Sequence, residues 1–125
     1  MAGNHCYCGS GLEFANCCKR YISGESNAPS AEALMRSRYS AYAVHDANYL
    51  WETTAPKVRK HHSKSALLQW AKDNHWVKLE IINASENIVE FRAYYLNSRL
   101  QAQVHHERST FVTEGGRWYY LDGEY

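Results

Sequence analysis

Long apolar runs are missing from this 125-residue chain. None approaches the roughly 20 consecutive apolar residues that a membrane-spanning helix requires, which excludes that class of protein. The first residues, Met1 to His5, also lack the basic start and the apolar segment of a secretory signal. We therefore expect a cytoplasmic protein with no membrane partner.

A charge bias is missing as well, because 14 basic residues face 13 acidic ones and the formal net charge is +1. Proteins that bind nucleic acids through their overall charge are usually strongly basic. The ten tyrosines and four tryptophans are therefore better explained as sheet core than as a base-stacking platform. We expect no nucleic-acid partner.

Cysteine is absent everywhere except in "CYCGSGLEFANCC", which runs from Cys6 to Cys18 and contains all four thiols. In a cytosolic protein such thiols are kept reduced, and a disulfide between the neighbours Cys17 and Cys18 would be strained. The C-x-x-C pattern of redox dithiols is missing too. Metal binding is the interpretation that remains best supported.

The cysteine spacing, C-x-C-x8-C-C, predicts one structural zinc ion with four thiolate ligands. The predicted ligands are Cys6, Cys8, Cys17 and Cys18. Four sulfurs complete a tetrahedral site, so no position stays open for a substrate. Two alternatives remain open, namely His5 in place of one cysteine and four free thiols.

The rest of the chain changes from helical to strand periodicity at about His75. Residues 21–29 are predicted to be a linker, and "KVRKHH" is predicted to be a loop. Three N-cap residues predict three helices. Ser30 is expected to begin a helix over 31–44, Asp46 one over 47–54, and Ser63 one over 64–74. Four alternating segments then predict strands near 75–81, 89–95, 103–113 and 118–122, with a hairpin turn at "EGGR". Helices followed by a strand meander indicate an α+β fold, with about three helices on a curved, mainly antiparallel four-stranded sheet.

Such a sheet leaves a cavity against its helices, and we expect a ligand to bind there if one binds at all. The candidate cavity residues are Arg38, His106, Glu107, Arg108 and Asp122. On a strand, His106 and Arg108 share one face, and a His–Arg pair facing the cavity could bind an anion or transfer protons. The alternatives for these two residues are a solvated strand and a buried ion pair. Arg38 is expected to be paired in a core network, with Glu107 or Asp122 as its partner. Because no nucleophile stands beside a base, the sequence favours a binding protein over an enzyme.

Several blocks of the sequence also resemble known proteins. "CYCGSGLEFANCC" resembles the SEC-C motif, best known as the zinc-binding tail of the preprotein translocase SecA. "RYISGE", "LMRSRYSAY", "HERSTF" and "RWYYLDG" resemble blocks of the YchJ-like bacterial family. The resemblance implies a SEC-C zinc knuckle over residues 1–20, with the four cysteines as ligands, packed on a nuclear transport factor 2-like α+β domain over 21–125.

The closed metal site favours a protein-interaction module whose zinc knuckle docks a partner. The resemblance to SecA implies a partner in protein targeting or quality control, by analogy the export chaperone SecB or the ribosome. The alternative is a small-molecule-binding or enzymatic domain that uses the α+β cavity. The sequence departs from the family pattern at His5 and Tyr7, where many members have prolines. It departs again at Ala55, where many have a histidine before the proline at position 56.

Overall fold

The computed structural model describes residues 5–124. Its four helices are α1 (Lys19–Ile22), α2 (Ala31–Ala43), α3 (Ala47–Glu52) and α4 (Lys64–Asp73). Two 3₁₀ helices span Phe14–Asn16 and Pro56–His61. The strands are β1 (His75–Ala84), β2 (Ile88–Leu96), β3 (Ala102–Glu114) and β4 (Arg117–Glu124). This order confirms the predicted α+β class.

Side-chain caps begin the three longer helices where the sequence predicts them. The Ser30 hydroxyl accepts a hydrogen bond from the N–H of Ala33, and the Asp46 carboxylate accepts one from the N–H of Tyr49. The Ser63 hydroxyl begins α4 in the same way. Each cap satisfies a backbone donor that the first helical turn leaves without a partner.

All of the segment "KVRKHH" except His62 belongs to the 3₁₀ helix Pro56–His61, so the prediction of a loop there is wrong. Pro56 stands at its first turn, where the fixed φ of proline favours a helical start. Arg59 then fastens the segment to α3, because its Nε donates to the carbonyl groups of Trp51 and Thr54 at 3.2 and 3.0 Å. The long basic side chain stabilises a turn that the sequence pattern does not reveal.

The predicted linker over residues 21–29 also needs correction at its start. Helix α1 runs through Ile22, directly after the second cysteine pair. The N–H groups of Tyr21 and Ile22 both donate to the carbonyl of Cys18 at 3.0 Å. The cysteine pair is therefore the beginning of a helical turn.

The four strands form one antiparallel sheet in the order β1-β2-β3-β4. Gly115 and Gly116 turn β3 into β4 with φ values of +57° and +80°, which suit a tight hairpin. The register pairs Glu107 with Phe91 on one side and Ser109 with Gly123 on the other. Helix α2 packs against β1, β2 and β4.

A single core includes the four cysteines together with apolar side chains of the helices and strands, such as Leu34, Leu50 and Phe111. The predicted boundary at residue 20 stays a prediction, since this packing is continuous across it. Among the helices of residues 5–124, none is long and apolar enough to cross a membrane.

Candidate functional site

The four cysteine side chains are buried and meet at one point, with all four sulfur atoms within 4.8 Å of one another. The Sγ of Cys17 lies 3.7 Å from that of Cys8 and 3.9 Å from that of Cys18. Thiolates bound at about 2.3 Å to a tetrahedral zinc ion would lie about 3.8 Å apart. The spacing of the sulfurs therefore fits a metal ion held by four thiolates.

Local backbone bonds bring the two cysteine pairs together. The N–H of Cys6 donates to the carbonyl of Leu12 at 2.8 Å, which folds the chain back on itself. Gly9 has a φ of +82°, a value that L side chains rarely adopt, and its N–H donates to the carbonyl of Cys6. The N–H of Cys17 then donates to the carbonyl of Phe14 at the end of the 3₁₀ helix.

Hydroxyl groups from two parts of the chain surround the sulfurs. The Ser10 Oγ lies 3.2 Å from the Sγ of Cys17, and the Ser40 Oγ lies 3.5 Å from the Sγ of Cys6. Ser40 belongs to α2, so the body of the protein takes part in the cluster. Sequence reasoning missed this contact because 34 residues separate the two partners.

Arg36 of α2 adds a positive charge beside the cysteines. Its Nη1 donates to the carbonyl of Cys8 at 2.8 Å, while its Nε pairs with Glu32 at 3.0 Å. Burial raises the pKa of the Cys17 thiol, so a cation is needed for all four thiols to ionise together. His5 is exposed and is not part of the group of four converging ligand atoms.

A cavity of about 350 Å³ lies between the helices and the sheet. One part of its wall is aromatic and is formed by Tyr39, Tyr42, Trp70, Trp76 and Phe91. Polar side chains line another part, namely Arg38, His62, His105, Glu107, Ser109 and Tyr120. A concave apolar site with a few converging polar groups is typical of ligand-binding pockets.

Glu107 is the centre of the polar part, although its side chain is only 8% exposed. Its Oε2 accepts hydrogen bonds from the hydroxyls of Ser109 and Tyr120 at 2.5 and 3.1 Å, and His105 Nε2 lies 2.8 Å from its Oε1. Burial acts to raise the pKa of Glu107, but these hydrogen bonds outweigh burial and hold it below its ordinary value. Because Ser109 donates to the carboxylate, the serine and the histidine do not form a nucleophile–base pair.

Arg38 lies at the same part of the cavity but contacts different groups. Its Nη1 donates to the carbonyl of Leu50 at 2.9 Å and to the Oγ1 of Thr53 at 2.7 Å. Its guanidinium stands 4.7 Å from the centre of the Tyr120 ring. The expected partnership with Glu107 or Asp122 is not found, because none of the ion pairs within residues 5–124 includes Arg38.

Two of the five cavity candidates, Arg38 and Glu107, line the cavity, and the other three do not. His106 and Arg108 are exposed on the opposite face of β3, where His106 Nε2 lies 2.7 Å from Glu90. Asp122 is exposed on β4. The reason is strand alternation, which turns the odd-numbered residues of this part of β3 inward.

Sequence reasoning therefore missed four polar residues of the cavity, His62, His105, Ser109 and Tyr120. The alternation could have found His105 and Ser109, because residues two positions apart on a strand share a face with Glu107. Tyr120 comes from β4, and only the pairing of strands brings it to Glu107.

Comparison with known proteins gives consistent matches. Residues 30–123 match the family described as "YchJ, middle NTF2-like domain". The chain is 38% identical over 124 residues to a UPF0225 protein of Enterobacter sp. (strain 638), covering 94% of the chain and 81% of that relative. UPF0225 protein YchJ of Shigella dysenteriae serotype 1 (strain Sd197) is 37% identical over 124 residues, with the same coverage.

Two solved structures share the fold over nearly the whole chain. The solution structure of a SEC-C motif containing protein from Rhodopseudomonas palustris has a TM-score of 0.89 at 39% identity, covering 95% of this chain and 96% of that one. The crystal structure of a SEC-C motif containing protein from Psychrobacter arcticus has a TM-score of 0.81 at 32% identity, covering 94% and 80%. With the cysteine cluster and the family match, these similarities show that the chain belongs to the YchJ (UPF0225) family of SEC-C motif proteins.

Proposed function

We propose that this protein is a cytoplasmic zinc protein whose NTF2-like body binds a small organic molecule. The observation that carries the proposal is the cavity of about 350 Å³, which combines an aromatic wall with two buried charged side chains, Arg38 and Glu107. Buried charges destabilise a fold unless they are compensated, so their position beside a cavity favours a binding role.

In this proposal one zinc ion is structural and is held by Cys6, Cys8, Cys17 and Cys18. Four thiolates leave no open position on the metal, so the ion supplies stability and no chemistry to a substrate. Contacts from Ser40 and Arg36 attach the zinc-binding segment to α2. The metal centre and the cavity therefore have separate tasks.

Tryptophan fluorescence tests the cavity proposal, because Trp70 and Trp76 both belong to the cavity wall. Phenylacetate, phenylacetamide and 2-phenylethylammonium are suitable probes, since they share one ring and differ in charge. We expect at least one of them to change the emission of the wild-type protein in a saturable manner. The Ala93→Leu variant, which adds bulk to a buried cavity residue, is expected to bind that probe at least about tenfold more weakly.

Val104→Leu is the matched control, because Val104 is exposed on β3 and does not line the cavity. It is expected to bind like the wild type. The proposal is contradicted if none of the three probes changes the wild-type emission, or if Ala93→Leu binds as tightly as the control.

A second candidate function is docking of a protein partner by the zinc-binding segment. The observation that favours it is the exposure of two large side chains on that segment, Tyr7 at 49% and Leu12 at 53%. By analogy with the SecA tail, we propose the export chaperone SecB or the ribosome as the partner.

Binding of purified SecB and purified ribosomes to the immobilised protein tests this second candidate. The double variant Tyr7→Ser, Leu12→Ser is expected to lose binding while it keeps its zinc, because neither side chain is a ligand. Leu100→Ser removes a similarly exposed apolar side chain elsewhere and serves as the control. Docking through this surface is excluded if the wild type, the double variant and Leu100→Ser all bind equally well, or if none of them binds.

A further inference from the structure

Arg38 is a buried cation with no anionic partner among residues 5–124. The whole residue is 5% exposed. The positive charge of its guanidinium is compensated by one carbonyl, one hydroxyl and the face of the Tyr120 ring. Buried charges are usually paired with an opposite charge, because removal from water is costly. An anion supplied from outside the chain would complete the environment of this guanidinium.

Arg38 has hydrogen-bond donors that bind no group of residues 5–124. Only Nη1 donates to groups of the described chain, to the carbonyl of Leu50 and to the Oγ1 of Thr53. Within the same residues, no buried side-chain nitrogen lacks a hydrogen-bond partner, so Nε and Nη2 retain accessible surface. Since Arg38 lines the cavity, that surface is open to a ligand.

The guanidinium is also held in place before any ligand arrives. Thr53 Oγ1 donates to the carbonyl of Tyr49 at 2.7 Å and can therefore accept from Arg38 in a fixed orientation. The Tyr120 ring supports the guanidinium group from its face. A donor group that is already oriented loses little conformational entropy on binding, which favours affinity.

Glu107 does not replace the missing anion. Its carboxylate already accepts from Ser109 and Tyr120 and is paired with His105. Burial lowers the pKa of the nearby His62, and the charge of Arg38 lowers it further, so this histidine favours its neutral form. Arg38 is then the charged group with donors left for a ligand.

We infer that the cavity binds a small organic carboxylate with an aromatic body, and that Arg38 holds its carboxylate group. The inference rests on the proposed function and specifies its ligand class. The planar guanidinium fork matches the two oxygens of a carboxylate, and the aromatic wall around Trp76 suits an aromatic ring.

Isothermal titration calorimetry at pH 7 with the three phenyl compounds tests the inference. Phenylacetate is expected to bind wild-type protein at least about tenfold more tightly than phenylacetamide or 2-phenylethylammonium, because it forms charge-assisted hydrogen bonds with Arg38. Arg38→Met is expected to lose this preference. Arg38→Lys is expected to keep it with weaker affinity, since an ammonium group retains the charge without the fork.

Arg92→Met is the control, because it removes the same charge from an exposed strand position and should bind phenylacetate like the wild type. If the amide or the ammonium compound binds wild-type protein as tightly as phenylacetate, the ligand class is wrong while the cavity remains a binding site. If none of the three binds, the proposed function fails together with this inference. Should Arg38→Met fail to fold, the wild-type series and Arg38→Lys still decide the question.

Discussion

Chelation of the metal from purified protein is expected to lower the midpoint of thermal unfolding by more than about 10 °C, with full recovery when zinc is added. Structural zinc sites contribute directly to folding, by roughly 10–16 kcal/mol in isolated zinc-finger peptides. For a domain of this size, about 3 kcal/mol shifts the midpoint by about 10 °C. The four buried cysteines belong to the core, so removal of the metal ion that they share should destabilise the whole fold.

Calorimetry with and without chelator, together with metal analysis, measures this effect. Cys8→Ser is expected to reproduce the destabilisation, because Cys8 is fully buried among the sulfurs. His5→Ala is the control and should keep one zinc ion per chain, since His5 lies outside the sulfur cluster. An unchanged midpoint after complete metal removal would contradict a structural role, and loss of zinc from His5→Ala would contradict the ligand set.

The Gly123→Ala variant is expected to be destabilised by about 2–4 kcal/mol, although alanine usually suits a strand better than glycine. A Cβ atom at Gly123 would overlap the Oε2 of Glu107 and would lie 2.7 Å from the hydroxyl oxygen of Tyr120. Both groups are ends of side chains, but the carboxylate is buried and held by three hydrogen-bonding partners. Moving it breaks those bonds and leaves buried donors without an acceptor.

Urea unfolding of a double-mutant cycle separates this effect from a general cost of substitution. In a Glu107→Ala background the overlap with the carboxylate is gone, so Gly123→Ala should then cost about 1 kcal/mol or less. Equal costs of Gly123→Ala in both backgrounds would show that the carboxylate is not the cause. A wild-type midpoint for the single variant would contradict the packing of Gly123 against Glu107.

The cysteine cluster could be predicted because its four thiols are close in the chain. Cys6 and Cys18 are separated by 12 positions, and turns formed by Gly9 and Phe14 are enough to bring the sulfurs together. The three longer helices and the four strands could also be predicted, since N-caps and hydrophobic periods are local signals. Arg59 shows the limit of such signals, because its bonds to the α3 carbonyls of Trp51 and Glu52 stabilise a 3₁₀ helix that composition alone suggests to be a loop.

The cavity could be predicted only in outline. A strand pattern shows that His105 and Glu107 share one face, but it does not tell which face turns toward the helices. That choice depends on the register of β2, β3 and β4 and on the packing of α2 against the sheet. In the folded protein Glu107 faces the helices and is buried, whereas His106 and Arg108 are exposed.

The amino-acid sequence by itself determined the cysteine cluster, the order of the three longer helices and the four strands, and the family. Each of these depends on residues that are near one another in the chain or on matched blocks of sequence. Tertiary structure alone decided that Arg38 lies beside Tyr120 without a carboxylate partner among residues 5–124, and that Glu107 is held by residues of β3 and β4. Contacts between distant segments depend on how the helices pack on the sheet, and no local pattern specifies that packing.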